Sequence, residues 1–216
     1  MKQLQDLMKF VLENGVDQYN ERTKHVCRFV AGKQVEFDVS EYFPAASGKF
    51  LPFKSVRGEL LGFFRGYTNS KDFESIGCKF WDKNANQTQA WLDNPYRKGE
   101  NDLGPIYGKQ WTQWSDKRIV QTEEEKDRLL NLGYKVRMYS KIKYGEDALE
   151  YLMEREINQL ENAVRKILTD PSDRRIIVSG WNVAELDMMS LPPCHMTYFF
   201  VPNITTKTMD IVMSIR

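Results

Sequence analysis

The chain has 216 residues and a formal net charge of +1, because it contains 31 lysine and arginine residues and 30 aspartate and glutamate residues. This balance argues against a dedicated binder of nucleic acid or of an anionic membrane surface, although a local basic patch is compatible with it. Hydrophobic residues make up 41% of the chain, enough for a sizeable core, yet no apolar run is long enough to span a membrane and the N-terminus is unlike a signal peptide.

The N-terminal part of the chain predicts two helices and a hairpin. Apolar residues at helical spacing predict an amphipathic helix over residues 2–14. The runs HVCRFVA and QVEFDV lie on either side of Gly32-Lys33 and predict a β-hairpin. The strongly apolar residues 55–65 predict a buried helix, which carries one carboxylate, Glu59.

The middle of the chain predicts a loop followed by mixed elements. Residues 82–105 are polar and punctuated by asparagine, glycine and proline, so they predict a long loop, and GPIYGKQW after them is too short to classify. TEEEKDRLL predicts a short helix, and the alternating run YKVRMYSKIK predicts a strand. A single apolar stripe then predicts a long helix from Glu146 to Leu168, which Asp170-Pro171 closes.

Three β-rich runs complete the chain: IIVSGW, MTYFFVP and DIVMSI. The turn-rich residues NITTKT join the last two runs as a hairpin. Together these elements predict an α+β fold around a largely antiparallel or mixed sheet. The last run stops at Arg216 in mid-strand, which would leave an unpaired sheet margin.

The sequence LPPCH is the sharpest local feature. Two prolines fix the backbone before Cys194 and a predicted strand follows it, so the thiol can be held accessible at the start of that strand. Nearby arginines would favour the thiolate, which is the nucleophilic form. The alternative is a small buried hydrophobic residue, the commoner role of a lone cysteine and the one expected of Cys27 and Cys78.

The cysteine pattern also bears on metals and compartment. Adjacent side chains on a strand point to opposite faces, so Cys194 and His195 are not expected to bind a metal together. The three cysteines form no Cys-x-x-Cys pair. This usage predicts a reducing compartment without disulfides or structural zinc, namely the cytoplasm, or the host cytoplasm if the protein is viral.

Two charged features are further candidates. Glu59 lies on the apolar face of a predicted helix, which is costly unless the carboxylate is protonated or paired. It is therefore either a proton shuttle with a raised pKa or a partner in an ion pair with Arg57 or Arg22. Arg174 and Arg175 precede a predicted strand, where adjacent arginines suit bidentate capture of a phosphate, although paired arginines on a surface loop are commonplace.

The basic residues of YKVRMYSKIK predict a solvated strand margin rather than a contact with nucleic acid. Four lysine and arginine residues share one face of this alternating run: Lys135, Arg137, Lys141 and Lys143.

In combination, these motifs resemble one family. In order, the chain carries Arg22-Thr23, Phe43-Pro44, Lys49, Glu59-Leu60-Leu61 with Gly66 and Thr68-Asn69, Trp81-Asp82, GPIYGKQW, DRRIIVSGWNVAEL and LPPCH. This order resembles the thymidylate synthase family, which includes phage pyrimidine hydroxymethylases. The resemblance covers residues 1–216 as a single domain, with insertions near 84–101 and 115–150. It implies an α+β fold in which a mixed sheet packs with helices, and a homodimer that packs its sheets back to back.

The resemblance also implies roles for named residues. Cys194 would be the nucleophile that adds to C6 of dUMP, and Glu59 would be the general acid and base. Tyr107 matches the active-site tyrosine near the nucleophile. The one-carbon unit would come from 5,10-methylenetetrahydrofolate as co-substrate, and no metal is implied. Three residues would hold this folate: Phe80 and Trp81 as a packing wall, and Lys49 at the glutamate tail.

Phosphate binding is implied to involve two subunits. Arg22 and Arg216 resemble phosphate ligands from the same subunit, and Arg174 and Arg175 resemble ligands donated by the partner subunit. Dimerisation would then complete each site. Four guanidinium groups near Cys194 would also favour its thiolate.

Three readings of the function stay open. GPIYGKQW and LPPCH favour synthesis of dTMP. Gly62, Phe199 and Ile215 stand where the family usually has tryptophan, glutamine and glutamine, and they lean towards a hydroxymethylase acting on dUMP or dCMP. Family members continue past the arginine that matches Arg216 with base-reading residues and a closing segment. We therefore expect a truncated or interrupted gene product, and the third reading is a catalytically incomplete fragment that keeps the dimer and phosphate-binding surfaces.

Overall fold

The computed structural model describes residues 2–21, 24–46, 48–144 and 146–216, and the side chains of residues 140–149 lie outside that description. The chain divides into two compact units, Met1–Phe53 and Lys54–Arg216. That the whole chain is a single domain stays a prediction. Among the described residues, no helix combines the length and the apolar character needed to cross a bilayer.

The first unit contains one helix and a two-stranded ribbon. Helix α1 (Lys2–Asn14) confirms the predicted amphipathic helix, and strands β1 (Val16–Asn20) and β2 (His25–Phe29) pair antiparallel. Arg28 joins these elements, because its guanidinium pairs with Asp17 at 2.6 Å and donates to the carbonyl of Leu12 at 3.0 Å. The predicted hairpin across Gly32-Lys33 is wrong: HVCRF pairs with the strand before it, and QVEFDV forms no strand.

The second unit carries the remaining elements. Its helices are α2 (Phe53–Phe64), α3 (Ser70–Ser75), α4 (Asp82–Asn86), α5 (Gln89–Leu92), α6 (Tyr107–Thr112), α7 (Glu123–Asn131) and α8 (Gln159–Thr169), together with a 3₁₀ helix (Val183–Met188). Its strands are β3 (Trp114–Val120), β4 (Lys135–Tyr144), β5 (Glu146–Ile157), β6 (Ile177–Ser179), β7 (His195–Asn203) and β8 (Thr208–Ile215). Helices and antiparallel sheets of this kind confirm the α+β prediction.

The last three strands form an antiparallel sheet in the order β6-β7-β8. This confirms the three predicted β-rich runs and the hairpin between the last two. Tyr198 and Phe200 point to the core, because alternate side chains of a strand point to opposite faces. On the other face, Phe199 lies between Ile177 and Val212 in the register, and all three are exposed. The sheet thus has one packed and one uncovered apolar face.

The main core is aromatic and lies beneath the helices α2, α3 and α6. Phe63 is its centre, since its ring contacts those of Phe73, Trp81, Tyr107 and Trp111 at centroid distances of 4.7–5.8 Å. Such ring pairs add to the stabilisation that burial alone provides. Several side chains of the candidate site, Tyr107 and Trp81 among them, are therefore fixed by this aromatic core.

A second sheet, in the order β3-β5-β4, occupies most of the predicted insertion at 115–150. It packs with α7 around a small core of its own: Val120, Leu129, Tyr134, Tyr151 and Met153. The predicted helix from Glu146 to Leu168 is wrong in its first half, which forms β5. Only the second half is helical, as α8, and Asn158 caps it by accepting from the backbone N–H of Glu161.

Two further predictions need correction. Residues 82–105 contain the short helices α4 and α5, so the segment is not a continuous loop. The helix predicted at 55–65 is present as α2, but it is only partly buried: Gly58, Gly62 and Phe63 are buried, whereas Leu60 and Leu61 are exposed. GPIYGKQW, which the sequence left unclassified, supplies most of α6.

Candidate active site

Two glycines, one just before α6 and one in its first turn, let this part of the backbone approach other backbone closely. A Cβ on Gly108 would lie 2.0 Å from the carbonyl oxygen of Phe63, and a Cβ on Gly104 would lie 1.9 Å from that of Met188. Between them, Tyr107 has a φ of +22°, at the margin of the left-handed region where a non-glycine residue is strained. This backbone stacks the Tyr107 ring on that of Phe63, with 4.7 Å between centroids.

A cavity of about 170 Å³ opens beside the Tyr107 ring. It brings together four of the predicted site residues: Glu59 from α2, Tyr107 from α6, and Phe80 and Trp81 from the segment before α4. The rest of the lining is Phe63, Asn84, Leu191 and His195. The cavity therefore has flat aromatic walls and one carboxylic acid, a combination that suits a planar organic ligand.

Cys194 lies between Leu191 and His195, which both line the cavity. Its backbone N–H donates to the hydroxyl oxygen of Tyr107 at 2.8 Å, which fixes the start of β7 against α6. The residue as a whole is partly exposed, and it is not among the residues that line the cavity. Cys78 differs, because it is fully buried and burial raises the pKa of its thiol. The expected role of a small buried residue thus fits Cys78, but it is wrong for Cys27, which is exposed on β2.

The Glu59 carboxyl is held in a partly desolvated environment. Burial raises its pKa, and the indole N–H of Trp81 offsets this in part by lowering it. That Nε1 is itself buried and forms no full hydrogen bond, so it lies close enough to act on the charge without pairing with it. Arg57 is exposed and does not contribute to the shift, and Arg22 lies outside the described residues.

Two more groups at the cavity favour their neutral forms. Burial raises the pKa of the Tyr107 hydroxyl, the backbone N–H of Cys194 lowers it, and the Cys194 thiol and the Glu59 carboxyl raise it again. Burial lowers the pKa of His195, whose ring lies 5.9 Å from that of Tyr107. The cavity thus holds a neutral phenol and a neutral imidazole beside an acid that retains its proton more readily than usual.

Arg216 is brought to the segment that carries Cys194. Its backbone N–H donates to the carbonyl of Cys194 at 3.2 Å, and its guanidinium donates to the carbonyl of Pro192 at 3.2 Å. The guanidinium also lies over the Trp181 ring, 5.1 Å from its centroid. One predicted phosphate ligand therefore lies beside the predicted nucleophile.

Arg174 and Arg175 line a different cavity, of about 270 Å³, together with Asp170, Ser172 and Asp173. Asp173 shapes this corner, because it accepts from the backbone N–H of Arg175 at 2.8 Å and from the ammonium group of Lys166 at 2.5 Å. Both arginine side chains are exposed, and neither forms an ion pair within the described part of the chain. The corner shares no lining residue with the aromatic cavity.

Two further predicted residues belong to the N-terminal part of the chain. Arg22 lies outside the described residues, and Lys49 is exposed in the first unit. Within the ranges that the structure describes, no three histidine, cysteine, aspartate or glutamate side chains are grouped to hold a metal ion.

Several residues that shape the site were not predicted from the sequence. Asn84 and His195 line the aromatic cavity. The side chain of Gln110 is fully buried and has three partners: it donates to the Pro105 carbonyl at 2.8 Å and to the Glu185 carboxylate at 2.7 Å, and it accepts from Asn182 at 3.0 Å. The signal for Asn84 was its position three residues after Trp81, since residues at that spacing are neighbours on a helix.

Comparison with known proteins gives consistent results. The family model described as thymidylate synthase matches residues 2–216. Two proteins named thymidylate synthase, from Pseudomonas syringae pv. tomato and Pseudomonas putida, are each 39% identical to the chain and align with all of it. A third, from Bordetella parapertussis, is 38% identical over the full chain. The chain spans 66% of the length of each of these relatives.

Proposed function

The chain belongs to the thymidylate synthase family, and on that premise we propose that it transfers a one-carbon unit from 5,10-methylenetetrahydrofolate to C5 of dUMP, giving dTMP. The observation that carries the proposal is the hydrogen bond of 2.8 Å from the backbone N–H of Cys194 to the hydroxyl oxygen of Tyr107. This bond lies next to a cavity that Glu59 also lines. A nucleophile, a neutral phenol and an acid with a raised pKa are the groups that this reaction needs.

Cys194 acts as the nucleophile in this proposal. Its sulfur forms a bond to C6 of the uracil ring, and the electron pair of the C5–C6 double bond moves towards the O4 carbonyl. C5 thereby becomes nucleophilic and attacks the one-carbon unit. C5 then loses its proton, and the bond between the one-carbon unit and the folate nitrogen breaks. Addition of the folate hydride to the resulting exocyclic methylene gives the methyl group, while the C6–S bond breaks and returns the thiolate. The partial exposure of Cys194 supports this role, because the sulfur has to reach a ligand.

Glu59 acts as the general acid and base. Its raised pKa keeps the protonated form available closer to neutral pH, so it can stabilise the developing charge at O4 through water and later accept a proton. Tyr107 keeps its own proton and fixes the backbone of the nucleophile at the same time. The raised pKa values of both groups arise from the same burial beside the aromatic core.

The folate co-substrate supplies the one-carbon unit and, for methylation, the reducing hydride. The residues fit a planar heterocycle: Phe80 is half-exposed, Trp81 is almost fully buried, and both line the cavity. The buried indole N–H of Trp81 has no hydrogen-bond partner, which leaves a donor for a ligand or a water molecule. Lys49 is proposed, on the family resemblance alone, to meet the glutamate tail.

Phosphate binding is proposed to be shared between two copies of the chain. Arg216 lies beside Cys194 and serves its own site, with Arg22 assigned to the same phosphate by resemblance. Arg174 and Arg175 line a separate corner, which supports their use by a partner's site. The outward face of the β6-β7-β8 sheet carries exposed Ile177, Phe199, Val201 and Val212, which suits back-to-back packing in a homodimer.

The relatives favour the synthase over the hydroxymethylase, because the curated proteins named above are all described as thymidylate synthase. The three free cysteines favour a reducing compartment, and we assign the reaction to the cytoplasm. Incubation with dUMP and methylenetetrahydrofolate separates the two activities: dihydrofolate is formed by methylation, whereas tetrahydrofolate and a hydroxymethylated nucleotide are formed by hydroxymethylation.

The decisive experiment follows the covalent step by intact mass. The wild-type chain is incubated with 5-fluoro-dUMP and methylenetetrahydrofolate, and we expect a covalent adduct that Cys194→Ser abolishes. Cys27→Ser is the matched control, since Cys27 is exposed on β2, and it should form the adduct at the wild-type rate. Absence of an adduct from the folded wild-type chain would contradict the proposed function and favour a catalytically incomplete fragment.

A further inference from the structure

The sheet β3-β5-β4 is packed on one face and exposed on the other. Tyr151 and Met153 of β5 are buried with α7, and the side chains between them point to the opposite face, because side chains alternate along a strand. Three apolar residues lie side by side across that outer face: Ile119, Leu152 and Met138. Ile119 is 67% exposed and Met138 is 63% exposed. This apolar ladder therefore lies open on both edge strands of the sheet.

Charged rows flank the apolar ladder along the strands. On one side, Lys117 and Arg137 both pair with Glu154, at 3.6 and 2.7 Å. Lys135 is the register partner of Glu154 on β4, so this row has a positive net charge. On the other side of the ladder, Glu150 forms no ion pair with any described residue. The outer face thus runs from a basic row, across the ladder, to an acidic row.

The order of these rows distinguishes two ways in which a second copy of the chain could cover the outer face. A twofold axis along the strands would place the basic row of each copy on the basic row of the other. A twofold axis along the ladder would place ladder on ladder, and the basic row of each copy would meet the acidic row of the other. Because facing rows of opposite charge attract and rows of like charge repel, the charge pattern favours the second arrangement.

We propose that the outer face of this sheet binds the same face of a second copy of the chain, ladder on ladder. The contact is separate from the back-to-back homodimer proposed above, because it uses none of the strands β6, β7 and β8. Three strands spaced about 4.8 Å apart give a face roughly 14 Å wide. The contact is therefore smaller than the roughly 800 Å² per partner of a standard stable interface, and the association depends on protein concentration.

This twofold geometry makes each residue of the ladder meet its own counterpart. Ile119→Lys would place two ammonium groups face to face, and Ile119→Glu would place two carboxylates face to face. Each variant alone should therefore fail to associate, whereas an equimolar mixture should associate, because each lysine then meets a glutamate. Leu168→Lys is the matched control, since Leu168 is 77% exposed and lies on α8, outside this sheet.

Sedimentation velocity measures the number of chains per particle over a roughly hundredfold range of protein concentration. We expect the particles of the wild type and of Leu168→Lys to double in size as the concentration rises. In each Ile119 variant, the dissociation constant should rise at least about tenfold. The mixture should regain the doubling and lose it again when salt is added. Thermal unfolding verifies that the variants are folded, and their midpoints should match the wild type because position 119 is exposed.

Each result supports or overturns the inference. A wild type that never doubles, or an Ile119→Lys variant that doubles as the wild type does, overturns it. If both variants stay small and their mixture does too, position 119 does not meet its own counterpart, which also overturns it.

The inference does not rest on the proposed function. Formation of the adduct with 5-fluoro-dUMP and methylenetetrahydrofolate should proceed equally in Ile119→Lys and in the wild type, because Ile119 lines neither cavity. Doubling without an adduct would contradict the proposed function alone, and an adduct without doubling would contradict this inference alone.

Discussion

The two cavities of the second unit hold their charged groups in opposite ways. Around Tyr107, the ionisable side chains are partly removed from water, and burial raises the pKa of Glu59 and lowers that of His195. Around Arg174 and Arg175, the guanidinium groups are exposed and stay fully charged. Burial creates unusual protonation states that suit bond making, whereas exposure keeps a permanent charge that suits the capture of an anion.

The two regions are also built differently. Backbone packing fixes the aromatic cavity, because α6 lies against α2 with no room for a Cβ on Gly108. Side-chain hydrogen bonds fix the corner, where Asp173 holds Lys166 and the backbone of Arg175. Substitutions in the cavity should therefore reduce the stability of the protein or the chemistry it performs. Substitutions of the arginines in the corner should reduce only the affinity for phosphate.

The largest effect is expected from Gly108→Ala. The new methyl group would meet three backbone atoms of Phe63 at 2.0–2.6 Å, and backbone cannot move aside as a flexible side chain can. We expect the free energy of unfolding to fall by more than about 3 kcal/mol. Gly48→Ala is the control, because no atom lies within 4 Å of its added Cβ. Urea titration measures both, and a loss below about 1 kcal/mol in Gly108→Ala would contradict the close approach of the two helices.

Tyr107→Phe tests whether the cavity holds the nucleophile in position. The substitution keeps the ring stacked on Phe63 but leaves the backbone N–H of Cys194 without its acceptor. We expect the rate of adduct formation with 5-fluoro-dUMP and methylenetetrahydrofolate to fall about 100-fold, with a stability loss of about 1–2 kcal/mol. Tyr198→Phe is the control, since that half-buried tyrosine packs on the same core from β7. Equal rates in the two variants would remove Tyr107 from the positioning of Cys194.

Arg174→Ala and Arg175→Ala test whether the exposed corner binds the phosphate of the substrate. Both side chains are exposed without ion pairs among the described residues, so the free energy of unfolding should change by less than about 0.5 kcal/mol. The affinity for dUMP should fall about tenfold for each, and the difference from the wild type should shrink as salt is added. Arg165→Ala, on α8, is the control. Unchanged affinity in both variants would show that the corner does not bind the substrate phosphate.

The part of the fold that local pattern determines was predictable from the sequence. Helix α1 and the three last strands follow from spacing within a few residues, and the predictions for them hold. Strand β5 was missed because Leu149, Met153 and Ile157 are spaced by four, as in a helix, while its real partners are β3 and β4. Pairing with β4, and with the more distant β3, overrode the local helical period of the sequence. Tyr151 and Met153 are buried at strand spacing.

More residues of the candidate site were found from the sequence motifs than from the properties of single side chains. The combination of GPIYGKQW and LPPCH led to Tyr107 and Cys194, which the fold joins by a hydrogen bond although 87 positions separate them. Asn84 was missed although it lies three residues after Trp81. Gln110 was missed because a single glutamine has no distinctive pattern until the packing around it is known. Gln110 even lies within a recognised motif, yet only its burial and its three partners identify it as a structural anchor.

The smallest effect is expected from Glu59→Gln, and it concerns how stability depends on pH. Burial raises the pKa of Glu59, so the folded protein holds this proton more tightly than the unfolded chain does. The contribution of Glu59 to stability is therefore fully present below the ordinary pKa of glutamate, about 4.3, and is lost as the pH rises through the raised value. Glutamine stays neutral and shows no such loss. The variant should therefore unfold about 1–2 °C above the wild type at pH 7, with a difference that vanishes as the pH falls towards 4.

Glu100→Gln provides the matched control, because Glu100 is an exposed glutamate in the loop before α6. Thermal unfolding of the three proteins at several pH values between 4 and 8 measures the effect. A difference between Glu59→Gln and the wild type that grows as the pH falls would mean that the folded state favours the ionised carboxylate. In that case the cavity would stabilise charge as the exposed corner does, and the contrast between the two regions would be lost.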